Sequence, residues 1–189
     1  MNKKIIIPFV ALAVLIPTML IPFMSEQPHD NDRLYMHSSG IFANISEDGL
    51  AETADYILEG TLVKAKSIGI PRNHDPRYVY AVTEWTIKPD TFYKGEPAKE
   101  IKFFRAGGET ENIISTHDGP EWSIGDKVFV YLTVASDTHK FRQYGAELLL
   151  YGGNYYSYKI TDDGIAESPV PWKSKPIEQL REERQEQKT

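Results

Sequence analysis

Cysteine is absent from the 189 residues. That removes disulfides, thiolate nucleophiles, Cys-ligated zinc and lipid attachment through a thiol. Histidine is sparse: of His29, His37, His74, His117 and His139, the nearest two stand eight positions apart. Metal sites often take two ligands at short regular spacing on one element. Positive charge is the scarcer sign, because the net charge is −6. All 27 acidic but only 19 of the 21 basic residues follow Met24, which leaves that part at about −8. Such a balance disfavours phosphate backbones and anionic headgroups, so no nucleic acid is expected as a partner. The glycine pair in Arg105-Ala106-Gly107-Gly108-Glu109-Thr110 lacks the Gly-Lys-Ser/Thr ending of a phosphate loop, and no helical pattern follows it.

What the chain does contain is an uncharged run from Ile5 to Met24, preceded by Lys3 and Lys4 and followed by Glu26, Asp30 and Asp32. Twenty residues at about 1.5 Å each make a helix of about 30 Å, the thickness of a bilayer's hydrocarbon core. The flanking charges put the N-terminus inside and the remainder outside. The run is long for a cleaved signal, and Phe23-Met24-Ser25-Glu26 offers no small-x-small site. A single-pass anchor over residues 5–24 is therefore expected, with Pro8, Pro17 and Pro22 weakening it and secretion after cleavage as the alternative.

Polar, irregular residues 25–45 read as a stalk. Ser46 is placed to cap a short helix running through Leu50 and Ala54. Beyond it, Tyr56–Lys66, Tyr78–Ile87, Glu100–Arg105, Lys127–Val134, Glu147–Tyr151 and Tyr155–Ile160 read as strands. In the fourth of these, Val128, Val130, Leu132 and Val134 share one face and Phe129 and Tyr131 the other. Gly152-Gly153-Asn154 signals a hairpin, and Asp162-Asp163-Gly164 a turn into a return strand at Ile165-Ala166. Short strands with one small leading helix predict an all-β sandwich or barrel. The domain is expected over 46–170. Residues 171–189 form a polar tail, partly disordered, in which Ile177 and Leu180 dock one helical turn.

The order of short motifs is informative. Ala54-Asp55-Tyr56-Ile57 leads into Gly60-Thr61-Leu62-Val63; then come Tyr93-Lys94-Gly95, Gly107-Gly108, Trp122-Ser123-Ile124-Gly125-Asp126-Lys127-Val128, Tyr131-Leu132, Gly153-Asn154-Tyr155 and Asp163-Gly164. This order resembles a family of exported bacterial and archaeal β domains without assigned function. More distantly it is similar to the OB-type barrel of metalloproteinase-inhibitor and netrin-like domains. The resemblance implies a partly closed OB-like barrel of about five to seven strands. Those inhibitors chelate metal through an N-terminal cysteine, which this chain lacks, so the fold carries over and the activity does not.

Candidate site residues follow from the loops and aromatics. Gly107 to Pro120 exceeds ordinary loop length and reads either as a sharp bend at Gly107 and Gly108 or as a binding rim that includes Glu109. Tyr78, Tyr80, Tyr155, Tyr156 and Tyr158 are candidates for sugar or peptide contact, Tyr78, Tyr80 and Tyr156 foremost, although core packing explains most such tyrosines. His74, Asp75, His117 and Asp118 compose the alternative of a metal-assisted hydrolase, set against solvent-exposed loop residues. A triad of Ser115 or Ser123 with His117 and Asp118 lacks plausible geometry, because sequence neighbours rarely achieve it. Asn44-Ile45-Ser46 is a glycosylation sequon. The expected function is non-enzymatic: a membrane-tethered domain outside the cell that binds a protein, peptide or glycan and uses no cofactor. A structural envelope component is the further alternative.

Overall fold

A computed structural model describes residues 33–38, 46–72, 75–117, 119–151 and 156–186; of 36–38, 72 and 75–78 it describes the backbone alone. In chain order the first elements are β1 (Leu34–Ser38), α1 (Glu47–Thr53), β2 (Tyr56–Arg72), β3 (Asp75–Lys94), β4 (Ile101–Ala106), β5 (Gly108–Glu109) and β6 (Ile113–His117). They are followed by β7 (Lys127–Val134), β8 (Leu148–Leu150), β9 (Ser157–Ile160), β10 (Ile165–Glu167), β11 (Lys175–Pro176) and α2 (Ile177–Glu186). The chain is thus mostly β, as its alternating patterns predict. Among the described residues no helix is long and apolar enough to cross a membrane. The expected anchor, most of the stalk and the Asn44 sequon lie outside them.

β2 and β3 form one antiparallel ribbon far longer than the sequence patterns suggest, 17 and 20 residues. Gly69 and Pro71 are of types that weaken a strand paired on both sides, but β7 covers β2 only from Tyr56 to Thr61. Pro71 therefore sits where β2 has a partner on one side only, and its missing N–H breaks no ladder. Three of the register shifts fall inside the ribbon's first half. At one of them a Cβ on Gly60 would overlap Lys88 O and come within 2.8 Å of Pro89 Cα, so glycine is what admits the bulge.

The larger sheet runs β11-β10-β9-β7-β2-β3-β4-β8, and β8 also pairs with β7. β8 meets β4 in parallel through the single pair Phe104↔Leu149. The hairpin expected at Gly152-Gly153-Asn154 is not formed by its flanking strands. β8 and β9 both run antiparallel to β7, with Leu132 opposite Leu150 and Val130 opposite Ser157. Gly152, Gly153 and Asn154 themselves lie outside the described residues. The Asp162–Gly164 turn does return the chain, pairing Ala166 with Ile160.

β7 separates two cores. Val128, Val130 and Leu132 pack with Leu58, Leu62, Trp85, Ile87, Phe103 and Trp122. Phe129 and Tyr131 pack on the other side with Ile57, Tyr93, Tyr158 and residues of both helices, Leu50, Ile177 and Leu180 among them. Val134 does not join its predicted face, being 53% exposed at the strand end.

Three expectations need correction. The rim from Gly107 to Pro120 contains β5 and β6, because Ile113 and Ile114 are strand formers opposite a turn. Within the stalk, β1 pairs in parallel with β6 and completes a three-stranded sheet. The tail holds the ten-residue α2, which buries Ile177, Leu180 and Arg184 on one face. Its charged residues read as a solvated run, but several are ion-pair partners of the domain.

Candidate functional site

The glycine corner between β4 and β5 is filled by side chains of β2, β3 and β6. Gly107 and Gly108 have φ of 92° and 148°. Gly107 N–H donates to Ala81 O at 3.0 Å, and Thr83 Oγ1 donates to Gly107 O at 2.8 Å. Ser67 Oγ stands 3.3 Å from Thr83 Oγ1 and accepts from Glu109 N at 3.2 Å. A Cβ on Gly107 would overlap the His117 ring. Glu109 is ion-paired with Arg33, whose Nε also donates to Glu111 O at 3.3 Å. This geometry makes a sharp bend that ties β1 to the ribbon.

Tyr80 lies in another cluster, half-buried, its ring 6.1 Å from Phe141 and 4.8 Å below Lys140 Nζ. The side chain of Tyr78 is outside the described residues, as are His74, Asp118 and the side chain of Asp75. His117 is half-buried beside Gly107. Among the described residues no three His, Asp or Glu side chains are grouped to hold a metal ion.

Beside Trp122, Arg105 is 4% exposed. Its guanidinium lies 3.9 Å over the indole and its Nη2 donates to Pro120 O at 2.9 Å. Burial pushes this guanidinium down from its ordinary value. The indole also packs edge-on to Trp85 and Phe103, so the pair closes one end of the inner core.

Tyr156 leads to an open recess. It is 3% exposed, and Lys173 Nζ sits 4.0 Å above its ring. Lys173 belongs to a groove of about 500 Å³ lined by Ser46, Glu47, Trp172, Lys173, Ser174, Lys175 and Gln179. Pro171 sets φ for a 3₁₀ turn in which Lys173 N–H donates to Val170 O at 2.8 Å. Ser174 Oγ accepts from Ser168 N at 3.0 Å and pins the loop. Held in this way, Trp172 points outward and is 85% exposed.

The groove floor is an ionic network. Glu47 accepts from Tyr158 Oη and from Lys175 Nζ, the latter at 2.6 Å. Lys175 also reaches Glu183 at 2.9 Å, and Gln179 Nε2 donates to Glu183 at 2.9 Å. Burial pulls the Lys175 ammonium down, but bonds and charge from Glu47 and Glu183 outweigh it and raise it overall. Burial likewise pushes the Glu183 carboxyl up, and Lys175 and Gln179 more than reverse that.

None of the tyrosine and glycine-corner candidates lines this groove; Tyr156 lies behind it, under Lys173. Sequence reading misses Trp172 because Pro171, Lys173 and Ser174 around it give no periodic pattern. The polar run Lys173-Ser174-Lys175 directly after it is the available signal for a tryptophan outside the core. Compared with protein-family models the chain matches none, and no curated protein matches it either.

Proposed function

We propose that this protein is a binding domain held at the outer face of a membrane by residues 5–24, with an OB-like barrel as its scaffold. The barrel reading is supported by pairings that run from β2 through β3 and β4 to β8 and from β8 through β7 back to β2. The parallel contact of β4 with β8 fits the same order. It agrees with the resemblance to exported β domains. The ligand is a peptide, protein or glycan outside the cell. One observation carries the binding role: a tryptophan 85% exposed at the lip of a groove whose other walls are hydrogen-bonding side chains. Buried aromatics dominate cores and interfaces, and one fixed in the open is available for a partner. A photo-crosslinking residue at position 172 of the full chain, expressed on intact cells, tests this. A discrete adduct is expected at 172 and not at Ile124, an exposed apolar residue elsewhere on the surface that is 64% exposed. Equal labelling at both positions, or none, refutes the reading.

A further inference from the structure

The groove's lining narrows the ligand class, on the basis of the binding role just argued. We infer that it takes an oligosaccharide, with one sugar ring lying on the indole face of Trp172. Peptide recognition draws its energy from a free sheet edge, an apolar groove or several aromatics in a row. Here the sheet edge beside the groove, β11, is only two residues long and contains Pro176; Trp172 is the sole aromatic among the lining residues, and its neighbours are Ser46, Ser174, Gln179, Lys173, Lys175 and Glu47. A pyranose matches that mixture: one apolar C–H face for the electron-rich ring, and an edge of hydroxyls that both donate and accept.

Charge points the same way. Lys175 is neutralised by Glu47 and Glu183. Lys173 sits over Tyr156 and has no carboxylate partner among the described residues. The groove therefore offers one fixed ammonium as a donor rather than a field for a polyanion. A membrane surface fits less well, because the groove offers one unneutralised ammonium and belongs to a chain of net charge −6. At about 500 Å³ the recess lies within the range of about 300–1,000 Å³ typical of ligand sites. The Pro171 turn and the Lys175 network hold it in shape, which lowers the ordering cost of binding.

The test uses the full chain in lipid nanodiscs on an array of neutral and acidic oligosaccharides, followed by titration of any retained sugar by tryptophan emission. Trp85 and Trp122 are 7% and 8% exposed, so a blue shift on sugar addition reports Trp172. At least one sugar is expected to bind, with Trp172→Ala weakening it about tenfold or more and Trp172→Phe less. Unchanged thermal unfolding of both variants keeps the comparison one of binding. A blank array, or sugar binding indifferent to Trp172→Ala, overturns the inference. Capture of a peptide that depends on Trp172 refutes the sugar and keeps the groove. Trp172-dependent adhesion to empty vesicles refutes both.

Discussion

Arg181 grips Glu59 with two nitrogens, Nε at 2.9 Å and Nη2 at 2.6 Å, joining residues 122 positions apart. Glu59 is 3% exposed on the outer face of β2, and Tyr93 Oη donates to it at 3.5 Å. Burial first, and the Glu59 charge second, push the Tyr93 hydroxyl up to about 12. The arginine is what makes a carboxylate tolerable there, so the charged face of α2 is as much part of the fold as its apolar one.

Arg181→Ala therefore leaves a buried carboxylate with only a distant phenol. Breaking a fully buried pair costs about 3–5 kcal/mol; with the arginine partly in solvent, about 2 kcal/mol is expected. Glu59→Leu combined with Arg181→Met should recover most of it, because two apolar groups have no charge left to desolvate. Urea unfolding of the single and double variants measures both. Equal losses in the two would show that Arg181 acts by packing rather than by charge.

Much of this architecture is legible in the chain, for identifiable reasons. In β7, Val128, Phe129, Val130, Tyr131 and Leu132 alternate between two buried faces as their period of two predicts. Ser46 caps α1 by accepting from Gly49 N at 3.1 Å, as its position before an acidic first turn implies. What the chain hides is non-local. Pro71 and Gly69 break strands only where both edges are paired, and the pairing of β2 is not written in β2. The docking of α2 depends on Glu59 and Glu47, which local composition presents as ordinary surface carboxylates. Trp172 is a candidate only once the residues around it are known to bury nothing over it.

The glycine corner separates backbone strain from steric overlap. Gly107 and Gly125 share nearly the same φ, 92° and 97°, but a Cβ on Gly125 meets nothing within 4 Å whereas one on Gly107 overlaps His117. Gly125→Ala should cost about 1–2 kcal/mol, the strain of a left-handed residue alone. Gly107→Ala should cost more, about 3 kcal/mol, because the imidazole or the bend must move. Thermal unfolding of the two variants side by side checks the order. Equal losses would mean that His117 swings clear without cost.

The Lys175 network sets a pH window for stability. Glu183 has its folded carboxyl held below the ordinary range, so its contribution is present above the unfolded value of about 4.3 and is lost as pH falls through the folded one. Lys175 is raised, so its contribution is complete below the unfolded value of about 10.4 and is lost as pH rises through the folded one. Stability from this network should be flat between about pH 5 and pH 10 and fall beyond both ends. Lys175→Met removes the partner common to Glu47 and Glu183. The variant should then be less stable across the plateau and show shallower limbs, above all below about pH 4.3, since Glu183 keeps only Gln179 and the Arg184 charge to resist protonation. Thermal midpoints of both proteins from pH 3 to 11 test this, and parallel curves would show that the acid and alkaline limbs arise elsewhere.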